Sequence, residues 1–178
     1  MIIHNVQLAI LSTLIACLSN ESKDLLNTYG IFIPAPTTKP PLFNYASFCK
    51  VLRIREINYM VKNVLENQIF INSPILSYKK YLVSQELLKM FMKQISSLKS
   101  LDCDQVSSEF PKFTYFLGTK DCLADLSIFS CDSEIYPEFF YQLSQICHNI
   151  QTFTLSLKSS TISDGLANLI SSQNNLKN

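Results

Sequence analysis

Leu98-x-x-Leu101-x-Cys103, Leu123-x-x-Leu126-x-Ile128-x-x-Cys131 and Ile150-x-x-Phe153-x-Leu155-x-Leu157 share one apolar spacing, and Leu176 stands where a fourth copy begins. The leading residues lie 25, 27 and 26 positions apart. The end of each copy alternates with period two. As short strands, they turn Leu101 and Cys103, Leu126 and Ile128, and Phe153 and Leu155 to one face. Between copies the apolar residues fall at helical steps: Phe139, Phe140, Leu143, Ile146 and Cys147 in one segment, Leu166, Leu169 and Ile170 in the next. A strand–turn–helix unit has one apolar face that it cannot bury alone, and stacking on the next unit buries it. The spacing predicts parallel, adjacent strands near 99–103, 124–128 and 151–157.

Leucine-rich repeats have a period of roughly 20–29 residues and open on L-x-x-L-x-L. The fold class read from this is α/β: a short leucine-rich-repeat-like solenoid over 96–178, truncated at its C-terminus, preceded by an all-α part over 1–95. An ordinary α/β or α+β domain with coincident leucines is the alternative. In the first part, Leu11, Leu14, Ile15 and Leu18 lie on one helix face. Ser19 or Asn20 caps a second helix over 21–29, and Gly30 ends it. Pro34, Pro36, Pro40 and Pro41 mark an extended connector. Residues 42–50 read as a short helix, 52–54 as a possible strand and 58–67 as a helix. Pro74 breaks the chain, and 78–95 is the longest helix.

Composition narrows the function classes. The chain has 178 residues, of which 47% are apolar and 16% charged, enough for a core and too apolar for disorder. A net charge of +1 supplies no field to draw in nucleic acid or an anionic membrane. Gly30, Gly118 and Gly165 are the only glycines, too few and too scattered for a phosphate-cradling loop. His4 and His148 leave little for general-base or metal chemistry, so no cofactor or metal is expected. The six cysteines have no C-x-x-C pair, and read as small buried residues of a reducing, cytoplasmic or nuclear compartment. Leu14-Ile15-Ala16-Cys17 has the form of a lipoprotein cleavage box. The apolar run 6–18 is too short to span a membrane and no Lys or Arg precedes it, which favours a core helix. An intact mature N-terminus would exclude the lipoprotein alternative.

Cys147-His148-Asn149-Ile150-Gln151-Thr152-Phe153-Thr154-Leu155, followed by Ile162-Ser163-Asp164-Gly165-Leu166-Ala167-Asn168-Leu169, resembles the cysteine-containing leucine-rich repeat. Asn20-Glu21-Ser22-Lys23, Lys39-Pro40-Pro41-Leu42-Phe43-Asn44-Tyr45 and Ser47-Phe48-Cys49-Lys50 resemble the segment after the F-box in fungal F-box/leucine-rich-repeat proteins. The resemblance implies substrate recognition for a Skp–cullin ubiquitin ligase. The chain departs from that pattern in lacking Trp and the L-P-x-E/D opening of an F-box, so Skp and cullin become partners only if an F-box is supplied elsewhere. Lys158 and Val106 stand where the repeat expects Asn or Cys, and Gln173 stands at the next leading Cys.

The function expected is protein–protein interaction on the strand face. A scaffold or degenerate fragment without a ligase role is the alternative. Less favoured is an enzyme using Cys122 with His148, or Asp102, Asp104 and Asp125, because no orienting group or oxyanion site has a sequence signature. Alternation places Ser100, Asp102 and Asp104 outward on the first strand, Asp125, Ser127 and Phe129 on the second, and Thr152, Thr154 and Ser156 on the third. The expected partner carries basic residues and a pocket for Phe129, and Phe129→Ala with Asp102→Ser should weaken binding with little loss of stability. The last strand is expected to be an open edge through which chains self-associate, with Thr154→Pro as the blocking change if its N–H faces outward.

Overall fold

The computed structural model describes residues 2–34, 43–68, 74–104, 111–158 and 163–177, with residues 2–4 and 68 described through their backbone alone. Helices α1 (Ile2–Ala16) and α2 (Asn20–Thr28) come first, followed by a 3₁₀ turn at Tyr45–Phe48 and strand β1 (Val51–Arg53). Then come α3 (Ile54–Gln68), α4 (Pro74–Gln94), β2 (Ser100–Cys103), a 3₁₀ turn at Phe113–Tyr115, and α5 (Thr119–Leu123). The chain closes with β3 (Ile128–Asp132), α6 (Pro137–Ile146), β4 (Thr152–Ser156) and α7 (Asp164–Ser171). The fold is α/β, and the four strands form one sheet in the order β1-β2-β3-β4, every pair parallel. Parallel neighbours need a crossover, and same-handed steps in one direction put every crossover on the same side of the sheet. Among the described residues one face is therefore covered and the other left bare.

Strand entry is built the same way each time. Lys50 O accepts from the N–H groups of Lys99 and Ser100, Lys99 O from Ser127 and Ile128, and Ser127 O from Gln151 and Thr152. Gln151 O then accepts from Lys177 N–H at 2.9 Å. Lys177 and Gln151 are 26 residues apart, the interval that separates Leu176 from Ile150. The inward row is Leu52, Leu101, Phe129 and Phe153, and the next is Cys103, Cys131 and Leu155. Phe129 anchors the stack, with ring centroids 5.5 Å from Phe153 and 6.3 Å from Phe139. The small thiols of Cys103 and Cys131 fill the adjacent layer and are buried.

Local chemistry sets the helix ends. Ser19 and Ser163 each accept from an N–H three residues on, at Ser22 and Leu166, and so cap α2 and α7. Gly118 opens α5 at φ +86°, where a Cβ would also meet Met92 O at 2.5 Å. Proline opens α4 at Pro74 and α6 at Pro137, positions whose N–H has no helical partner.

Several expectations are corrected. Pro74 starts the longest helix rather than breaking the chain. β1 falls one residue before the possible strand read at 52–54, and it pairs with β2, so the first part is not all-α and the sheet crosses the boundary drawn between 95 and 96. The middle strand lies at 128–132, not 124–128. Leu98 aligns with Leu126, two residues before the Ser100–Ile128 pair, so Leu126-x-x-Phe129-x-Cys131 is the second copy. Leu123, Leu126 and Phe129 are each three apart, so the same template fits in two phases. A shift of three is odd and exchanges the faces of the strand. Phe129 is consequently fully buried, and Ile128 points outward with 44% of its surface exposed. The remainder of the proline connector (35–42), Val106 and Ile162 lie outside the described residues.

Candidate partner-binding face

The bare face carries three rows. The first is Val51, Ser100, Ile128 and Thr152; the second is Arg53, Asp102, Ser130 and Thr154. The third pairs Asp132 with Ser156 at the ends of their strands, and Asp104, one residue past β2, continues it. The rows grade from apolar to charged. Val51 and Ile128 are exposed at the strand entrances, and Phe48 is exposed just before β1.

At the strand exits Arg55, Asp102, Asp104, Asp132, Ser156 and Lys158 line a pocket of about 220 Å³. Asp102 Oδ1 accepts from the N–H of Asp104, and Asp132 Oδ1 from the N–H of Glu134, both at 3.0 Å. Lys158 Nζ reaches Asp132 Oδ2 at 2.9 Å, and its N–H donates to Ser133 Oγ. Asp132 is buried, and its hydrogen bond pushes the Lys158 ammonium above its ordinary range. Among the described residues Asp104 Oδ1 is buried with no hydrogen-bond partner. Burial, with the negative charges of Asp102 and Asp132, raises the Asp104 carboxyl. The arrangement offers an acceptor to a positively charged donor entering from the bare side.

Of the residues expected on this face, Ser100, Asp102, Asp104, Thr152, Thr154 and Ser156 are brought together. Asp125 is not: it precedes β3 at the opposite end, bonded to Ser97 Oγ at 2.7 Å and Lys99 Nζ at 3.2 Å. Those hydrogen bonds hold its carboxyl below the usual range. Asp102 sits opposite Ser130, so the expected neighbouring of Asp102 and Asp125 is wrong. Ser127 is tied into the ladder through Lys99 O, and Phe129 belongs to the core. Asp132, Ile128, Ser130, Arg53, Arg55 and Lys158 were not expected here. One signal for Asp132 exists: Leu101-Asp102-Cys103-Asp104 and Phe129-Ser130-Cys131-Asp132 both end in Cys-Asp, and aligning those pairs fixes the register.

The other candidate groups are placed apart from this face. Cys122 is fully buried, and burial pushes its thiol up to about 12, while His148 is exposed. All six cysteines are unpaired. Among the described residues no three of His, Cys, Asp and Glu are placed to hold a metal ion, and no helix is long and apolar enough to cross a membrane. Comparison with protein-family models, with curated proteins and with solved structures finds no significant match to this chain.

Proposed function

We propose that this chain is a protein-interaction module of leucine-rich-repeat type, holding an extended segment of a partner across its bare strand face. The observation that carries the reading is the in-register parallel ladder whose outward rows run from Val51 and Ile128 to the Asp102, Asp104 and Asp132 pocket. A graded face selects by pattern: an apolar side chain at the strand entrances and a Lys or Arg at the exits. Both contacts gain from complementarity, the first by burying apolar area and the second by a charge-assisted hydrogen bond. The F-box/leucine-rich-repeat resemblance extends this to substrate recognition for a Skp–cullin ligase.

The test is affinity capture with mass spectrometry, using the whole chain, Ile128→Glu, and Asp102→Asn with Asp104→Asn. The expected result is a partner held by the parent chain and lost from both variants. An identical set of captured proteins from all three would remove the face from consideration. Skp and cullin in that set support the ligase extension, and their absence leaves the interaction module without it.

A further inference from the structure

β4 is an edge of the sheet. It pairs with β3 on one side, and among the described residues no strand pairs with it on the other. Thr152 N–H donates to Ser127 O, and Ser156 O accepts from Ser133 N–H. A strand residue directs its N–H and C=O to the same side, and successive residues alternate. Thr152, Thr154 and Ser156 therefore face β3, while Phe153, Leu155 and Leu157 present their backbone groups outward. The contact from Lys177 to Gln151 covers the start of this edge. Beyond it the apolar row is also incompletely covered. Phe153 and Leu155 are half-buried where their counterparts Phe129 and Cys131 are fully buried, and Leu157 is 65% exposed.

Natural edges are guarded by charges, prolines or bulges. Residues 149–157 contain no charge and no proline, and the Lys158 ammonium that follows is engaged by Asp132. We propose that β4 pairs antiparallel with β4 of a second copy of this chain, about a two-fold axis through Leu155. The stretch is its own complement in that register. Leu155 opposes Leu155 and Phe153 opposes Leu157, each pair exchanging both backbone hydrogen bonds. Their side chains share the inward row, so apolar meets apolar across the junction. On the bare face Thr154 meets Ser156. Centring on Phe153 instead would need the Gln151 carbonyl, which Lys177 already occupies. The contact is isologous and closes as a dimer. Thr154→Pro is thus the wrong block, since its N–H serves β3; Leu155 and Leu157 are the positions that report on the edge.

Sedimentation of the whole chain across a concentration series tests this. A monomer–dimer equilibrium is expected. Leu157→Lys sets a charge against Phe153 of the other copy at both ends of the junction and raises the dissociation constant about tenfold or more. Leu155→Cys places two thiols on the axis at about 5.5 Å between Cα atoms, within disulfide range, so mild oxidation yields a covalent dimer absent from the equally treated parent. Three results overturn the proposal: a parent that stays monomeric at about 1 mM, a dimer indifferent to Leu157→Lys, or growth beyond the dimer, which signals head-to-tail pairing of β4 with β1.

Discussion

Glu86, only 3% exposed, is a carboxylate held inside the helical layer. Burial raises its proton affinity. Lys89 Nζ at 2.6 Å, Ser22 Oγ at 2.7 Å and Gln85 Nε2 at 3.2 Å outweigh that and leave the group below its ordinary value of 4.5. A carboxyl whose folded value is depressed stabilises the fold above the unfolded value and loses that contribution as pH falls through the folded one. Glu86→Gln should therefore cost about 1.5–3 kcal/mol near neutrality, the range for a hydrogen bond to a charged group. Lys89 is 43% exposed and can turn to water, so no buried cation is stranded. In urea melts the difference between parent and variant should shrink as pH drops below 4.5; a difference constant with pH assigns it to packing instead. Gln173 has a comparable structural role. It takes the N–H of Ile150 on Oε1, and its Nε2 donates to Cys147 O and Leu169 O, tying the end of α7 to the segment that leads into β4. Its sequence position announces only that the leading Cys is missing.

At the scale of elements, β3 decides which face each residue of the middle repeat occupies. Phe129 and Ile128 are adjacent in sequence and opposite in environment. Phe129→Ala should cost about 3–5 kcal/mol, since it empties a site packed by Phe139 and Phe153. Ile128→Ala should cost less than about 1 kcal/mol. Chemical denaturation of both variants checks the register, and the reverse ordering would restore the phase based on Leu123. The helices were more legible than the strands because a stripe at 3.6-residue steps extends over many residues. α6 and α7 fall where the apolar steps place them. Their close packing also explains Gly165, where a Cβ would run into the Pro137 carbonyl. β3 is only five residues long, and on leucines alone the template three residues out of phase scores better, with Leu123 and Leu126 against Leu126 alone.

For the molecule as a whole, strand position sets local stability. β2 and β3 have partners on both sides, while among the described residues no strand pairs with the outer side of β4. In hydrogen exchange at concentrations where the chain is monomeric, the Leu155 N–H should exchange orders of magnitude faster than ladder amides of β2 and β3. Uniform protection across the three strands would mean that the edge is covered. Short-range periodicity and capping chemistry suffice to read from the residues alone that strands and helices alternate in the second half, that its three strands recur at intervals near 26 residues, and where helices α2, α6 and α7 lie. Tertiary structure alone decided three things: that β1 joins the sheet, that Asp132 rather than Asp125 completes the acidic pocket, and that Phe129 belongs to the core. Each depends on which residues of separate strands stand side by side. Register is fixed by the summed packing and hydrogen bonding of neighbouring strands, and a single strand read alone has the same alternation in either phase.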